Sequence, residues 1–183
     1  MAKLILISGG NGSGKSRWAE KLLSGFPGER FYIATMVPQT ADNLVRIEKH
    51  RAQRAGLGFV TVEAPGKIGE APVTPGSAVL LEDVSNLLGN AMFATGGTAA
   101  EVFEDIQALL QRCALLAAVT ISGLSVEGYT GETARYIAAL NRLNGQLFSA
   151  ADAAVQMKDR VAHAVKGDAD ALIQAAFRGV FNL

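Results

Sequence analysis

The chain carries a single cysteine, Cys113, in 183 residues. One thiol can neither close an internal disulfide nor build a metal site alone, which excludes a disulfide scaffold and a zinc module. It reads as a small buried hydrophobe on a helix. Long apolar runs are also missing. The first one, Leu4 to Ile7, is too short for the core of a signal peptide. Nothing approaches the roughly 18 apolar residues of a membrane span. The expected location is the cytoplasm. Nor does one sign of charge dominate, since Lys+Arg and Asp+Glu both number 17. With aromatics at 7%, the chain lacks the basic, stacking surface of a nucleic-acid binder. Proline is scarce. Three of the five lie within residues 64–77, beside three glycines, and that stretch reads as a loop with little regular structure.

What remains is a globular composition, with 49% hydrophobic and 19% charged residues. The length suits one domain with one sizeable core, so residues 1–183 are expected to form a single nucleotide-binding domain. The chain begins with a continuous apolar run over 3–8 that stops at glycines, as a strand buried on both faces does. The pattern then predicts helix over 16–24, strand over 30–35, helix over 40–55 and strand over 59–63. Further strands are expected at 78–82, 116–122 and 153–157. Further helices are expected at 87–93, 99–112, 131–151 and 168–177. Alternation of this kind predicts an α/β fold with a mostly parallel sheet and helices on both faces. Ligands in such sheets bind beyond the carboxyl ends of the strands.

The loop after the first strand fits the phosphate-binding pattern G-x-x-x-x-G-K-[ST] at every position: Gly9, Gly10, Asn11, Gly12, Ser13, Gly14, Lys15 and Ser16. Glycines let the backbone curl its N–H groups toward phosphate oxygens, and the helix that follows adds its own free donors. Lys15 is expected to reach the β- and γ-phosphates, and the Ser16 hydroxyl to coordinate Mg²⁺. An acidic residue should end another buried strand, and Glu82 or Asp83 supplies it. Glu82 joins Ser16 as the expected metal pair. This defines a P-loop NTPase-like chain.

The second helix holds Arg46, His50 and Arg54 four residues apart, hence on one face, with Arg51 alongside. Leu44 and Ile47 are expected to face the core. Cations round a histidine can clamp phosphate and push the imidazole pKa down, and a neutral imidazole is a nucleophile. A solvated basic face is the plainer alternative. His163 has no such setting and reads as a surface or structural residue. Residues 129–136 read as a helix start capped by Thr130, and Asn86 and Asn90 as a polar helix face that could touch substrate.

Several segments together resemble the bifunctional adenosylcobinamide kinase/adenosylcobinamide-phosphate guanylyltransferases of cobalamin biosynthesis. They are GGNGSGKSRWAEKLL (9–23), YIAT (32–35), RIEKHRAQR (46–54), TVE (61–63), LLEDVSNLL (80–88) and ETARYIAALNRLN (132–144). The resemblance runs from Leu4 to about Asp152. It implies that ATP or GTP phosphorylates a corrinoid alcohol. GMP from GTP is then transferred to that phosphate through a covalent GMP–histidine intermediate. The family histidine falls on His50, with Lys15 as its catalytic partner in the P-loop. Family nucleotide contacts fall on Gly9 to Ser16, Ala34, Thr35, Met36, Arg51, Ala52, Gln53, Arg54, Glu63 and Glu82. A homo-oligomer, a trimer, is implied as well. The segment Ile121-Ser122-Gly123-Leu124 departs from the family's Asn-Glu-Val type continuation, and the tail after Met157 is poorly matched. These departures keep open a P-loop kinase with another acceptor, or a nucleotide-binding regulatory protein without turnover.

Overall fold

The computed structural model describes residues 2–174. Seven strands form one sheet in the order β3-β2-β4-β5-β1-β6-β7. They are β1 (Lys3–Gly9), β2 (Arg30–Ala34), β3 (Phe59–Glu63), β4 (Ala78–Glu82), β5 (Leu115–Ile121), β6 (Ala153–Lys158) and β7 (Val161–Lys166). The first six pair in parallel, and β7 runs antiparallel to β6 at the edge.

Neighbouring strand residues serve opposite faces. Leu4, Leu6, Phe31, Ile33, Val79 and Leu81 point into one apolar cluster, under α3 (Val84–Asn90), α4 (Ala99–Leu110) and α5 (Gly131–Ala150). Ile5, Ile7, Tyr32, Ala78 and Leu80 point into the other, under α1 (Lys15–Ser24) and the helical residues 169–174. Burial on both faces is why these strands read as unbroken apolar runs. The expected helix 168–177 is seen over 169–174, and its remainder lies outside the described residues.

Three expectations need correction. The helix expected at 87–93 starts three residues earlier, at Val84. Asp83 caps it, accepting from the Asn86 amide at 2.7 Å. It runs on into a π-helical turn, Ala91–Thr95. Strand β7 was not expected at all. It returns from β6 through a two-residue turn, Asp159-Arg160, both at positive φ (50° and 64°). That is the conformation hairpins favour, but it is built here without the usual glycine. Finally, neither Leu44 nor Ile47 joins the core, and Ile47 lines a cavity instead. On α2 (Ala41–Arg54) Leu44 is 52% exposed and Val45 68% exposed, and only Arg54 is buried.

Residues 64–77 are a loop, as expected, holding one 3₁₀ turn, Ile68–Glu70. Cys113 is buried, and burial pushes its thiol pKa up to about 12. Among the described residues, no helix is long and apolar enough to cross a membrane.

Candidate active site

β1 is flanked by β5 and β6 near the middle of the sheet, and its chain leaves for β2 across β5 and β4. The loop at its carboxyl end therefore opens where ligands of such sheets are held. Gly9 sits so close to β6 that a Cβ there would lie 2.5 Å from the Met157 carbonyl oxygen. Gly14, at φ 89°, turns the chain into α1 in the left-handed region that glycine favours.

The loop wraps an open cavity of about 550 Å³ lined by Asn11 to Trp18, Glu82, Ile121 and Arg160, and roofed by Arg46, Lys49, His50 and Gln53 of α2. Lys15 Nζ donates to the Gly10 carbonyl oxygen at 2.7 Å. Burial lowers its pKa, partly opposed by the carboxylates of Glu82 and Asp83.

Ser16 Oγ donates to Glu82 Oε1 at 2.5 Å, joining the start of α1 to the end of β4. The other oxygen, Glu82 Oε2, is buried without a partner, as is Ser13 Oγ in the loop itself. Burial first, and then the charge of Asp83, push the Glu82 carboxyl up to about 8. A hydroxyl beside an orphaned carboxylate oxygen fits a hard, oxygen-seeking cation that takes its other ligands from phosphates and water. Among the described residues, no group of three His, Cys, Asp or Glu side chains gathers to hold a metal by itself. Asp83 is spent on capping, accepting from the Ser85 hydroxyl as well as the Asn86 amide.

A second, narrow cavity lies between α2 and the ends of β2 and β4, lined by Ala34, Met36, Arg46, His50, Arg54, Glu63 and Glu82. His50 borders both cavities. Its Nδ1 stands 3.5 Å from the Tyr32 hydroxyl. Burial, then Arg46 and Arg54, hold its pKa below 6.5. Arg54 stacks 4.0 Å over the Tyr32 ring and donates to Thr61 Oγ1 at 3.2 Å.

The four-residue spacing thus brings Arg46, His50 and Arg54 together. Arg51 turns away, to the exposed carboxylates of Glu48 (3.0 Å) and Glu63 (3.2 Å). Ala52 is exposed and lines neither cavity. Thr35 is fully buried and spends its amide, hydroxyl and carbonyl on Glu82, Asp83 and Asn90. It clips the ends of β2 and β4 together. Asn90 likewise bridges two backbone carbonyls, those of Thr35 and Pro65, while Asn86 lines the narrow cavity. Thr130 sits at the start of α5 without capping it through its side chain. His163 is exposed on β7. Arg160 was not anticipated near the loop, because the turn that carries it there has no glycine signature.

A strand, a glycine loop with a buried lysine, and a hydroxyl–carboxylate pair at the end of a neighbouring strand define a P-loop nucleotide-binding fold. An ATPase of the type III secretion system of pathogenic bacteria superposes with a TM-score of 0.50 at 11% identity, over 95% of this chain and 61% of that one. That likeness speaks to the fold alone. Within that class, the chain belongs to the cobinamide kinase / cobinamide phosphate guanyltransferase family, which matches residues 5–164 and so runs on into the hairpin of β6 and β7. Two relatives are both described as bifunctional adenosylcobalamin biosynthesis proteins. The Escherichia coli K12 protein is 38% identical over 111 residues, which is 59% of this chain and 60% of that protein. The Salmonella typhimurium LT2 protein is 35% identical over 97 residues, which is 51% of this chain and 52% of that protein. The matched stretches thus span little more than half the length of these relatives.

Proposed function

We propose that the protein is a bifunctional kinase and guanylyltransferase of cobalamin biosynthesis, acting on adenosylcobinamide and its phosphate, with His50 as the nucleophile of the transfer step. The observation that carries this reading is the position of His50 on the roof of the phosphate cavity, which it lines together with Lys15 and Ser16. A nucleoside triphosphate with its β- and γ-phosphates in the loop would bring its α-phosphorus toward that roof.

In the transfer step, a lone pair of the neutral imidazole attacks the α-phosphorus of GTP. The bond to the bridging β-oxygen breaks, and pyrophosphate leaves on the Lys15 ammonium and the loop amides. The acceptor phosphate then displaces His50, so the GMP passes on and the imidazole is free again. In the kinase step the same loop holds the triphosphate while an alcohol oxygen takes the γ-phosphoryl group, the bond to the β–γ bridging oxygen breaks, the nucleoside diphosphate leaves and the hydroxyl proton passes to water. Ser16 and Glu82 would hold Mg²⁺, which neutralises phosphate charge when bound. Arg46 and Arg54 flank the imidazole and suit phosphate oxygens. We take the remaining contacts implied by the resemblance, at Ala34, Met36, Gln53 and Glu63, to surround the nucleotide. The same resemblance supports a homo-oligomer, a trimer.

One observation favours a second reading. Ile121, where the chain departs from the family pattern, lines the phosphate cavity itself. That supports an acceptor alcohol other than the corrinoid.

Incubation with α-labelled GTP and Mg²⁺ tests the proposal. Acid-labile label is expected on the wild type and none on His50→Ala. Absence of label from both would remove the transferase half. Turnover of labelled enzyme with the cobinamide phosphate separates the two acceptors.

A further inference from the structure

Helix α2 carries His50, yet among the described residues it gives no side chain to either apolar cluster. Polar groups hold it instead. Tyr32 meets His50, and Arg54 meets Tyr32 and Thr61, so these contacts tie α2 to β2 and β3 on the outer side of the sheet. One contact is different. Gln53 Nε2 donates to Glu20 Oε2 at 2.5 Å, tying α2 to α1, the helix that opens at Lys15.

Glu20 is 1% exposed, and its second oxygen, Oε1, is buried with no partner. An unpaired buried carboxylate is costly, and a well-packed apolar residue is often neutral or better at such a place. Its surroundings show what it faces. Arg17 lies on its own helix, Gln53 and Arg54 on α2, Tyr32 on β2 and Glu82 on β4. The one hydrogen bond it makes reaches the helix of the proposed nucleophile, three residues beyond His50.

We propose that Glu20 is a positioning residue: its buried carboxylate is the point at which α2 docks on α1, and through Gln53 it sets His50 over the phosphate loop. This rests on His50 being the nucleophile.

The test is a role-reversal pair, Gln53→Glu and E20Q/Q53E, in the full chain. Binding of a non-hydrolysable GTP analogue checks that the loop is intact. In Q53E two carboxylates meet, and labelling of His50 is expected to fall about tenfold, as a coupled pair would give. The loss deepens as pH rises and a proton the two share is given up. E20Q/Q53E restores an amide–carboxylate pair, and labelling is expected to rise severalfold above that of Q53E while staying below wild type, because residue 53 also lines the phosphate cavity. If Gln53 acts only on the nucleotide, the double variant stays as slow as Q53E, and the proposal falls. Hydrogen exchange of α2 reads the same contact without chemistry. It should quicken in Q53E and recover in the double variant, and unchanged exchange overturns the docking. Should wild type take no label, the nucleophile reading fails and exchange alone decides the docking. Gln53→Ala, which leaves Glu20 without its donor, replaces Q53E if that chain does not fold. Faster α2 exchange is then expected, and wild-type exchange would overturn the proposal.

Discussion

His50 is held below its ordinary pKa by burial and by two arginines, and this has consequences on both sides of the folding equilibrium. Between the lowered native value and 6.5, the unfolded chain binds a proton at this residue that the native chain refuses. Acidification through that window therefore costs stability. The same shift keeps the imidazole neutral, and nucleophilic, below the pH at which a free histidine protonates. The labelling rate is expected to stay flat as pH falls through 6.5 and to drop only beneath it. Removing Arg46 takes away a charge that opposes the imidazolium. Arg46→Gln should therefore move the acid limb of the pH–rate profile upward, and an unmoved limb would show that burial and Arg54 set the shift without Arg46. The spacing of Arg46, His50 and Arg54 announced this triad, because residues four apart share a helix face. It could not announce that Arg51 would pair with Glu63, since that depends on where β3 lies beside α2. Thr35 shows the same limit. Its place in the motif suggested a ligand, while the structure spends its polar groups on holding two strand ends.

At the level of elements, local signals were read well where one physical cause dominates. The strands β3 and β4 fall at the expected bounds because Gly58 and Pro65 bracket the first and the second is a buried apolar run that ends at Glu82. The errors lie where two causes compete. The three-residue misplacement of α3 comes from Asp83, read as a strand-end acid although it also caps a helix. The loop 64–77 has little secondary structure, but it is pinned by a residue remote in sequence. Asp105 on α4 accepts from the amides of Ile68 at 2.8 Å and Gly69 at 2.7 Å. Arg112 Nη1 donates to the Gly69 carbonyl oxygen at 2.6 Å. Two amides that donate to a carboxylate lose more than two ordinary bonds when it goes. Asp105→Ala is expected to cost about 2–3 kcal/mol. Urea unfolding should show this as a lower midpoint at unchanged slope, and a loss under about 0.5 kcal/mol would place the anchoring in Arg112 instead.

Across the whole molecule, the sheet and the helix above the phosphate loop differ in how they are stabilised. β1, β4 and β5 are buried on both faces and hydrogen-bonded on both edges, so their amides can exchange only when the sheet itself opens. α2 is joined to the rest by a few polar contacts and leaves Leu44 and Val45 in water. Burying an aliphatic side chain contributes about 1.5–3 kcal/mol, and α2 forgoes that for both. Local opening draws on the least packed elements. Native-state hydrogen exchange is therefore expected to resolve at least two levels. β1, β4 and β5 should exchange at the global unfolding free energy, with full denaturant dependence. α2 should exchange well below it, with almost no dependence on denaturant, because little surface is exposed when it lifts away. A ligand bridging the phosphate loop and the roof would bind only the docked form. A non-hydrolysable GTP analogue at about 100 times its Kd should therefore raise the opening free energy of α2 by about 2.7 kcal/mol. Lys15→Ala should lessen that rise by weakening the phosphates' hold. Exchange of α2 at the same rate as β1 would mean that the helix opens only with the sheet, and that its polar contacts are as strong as a packed face.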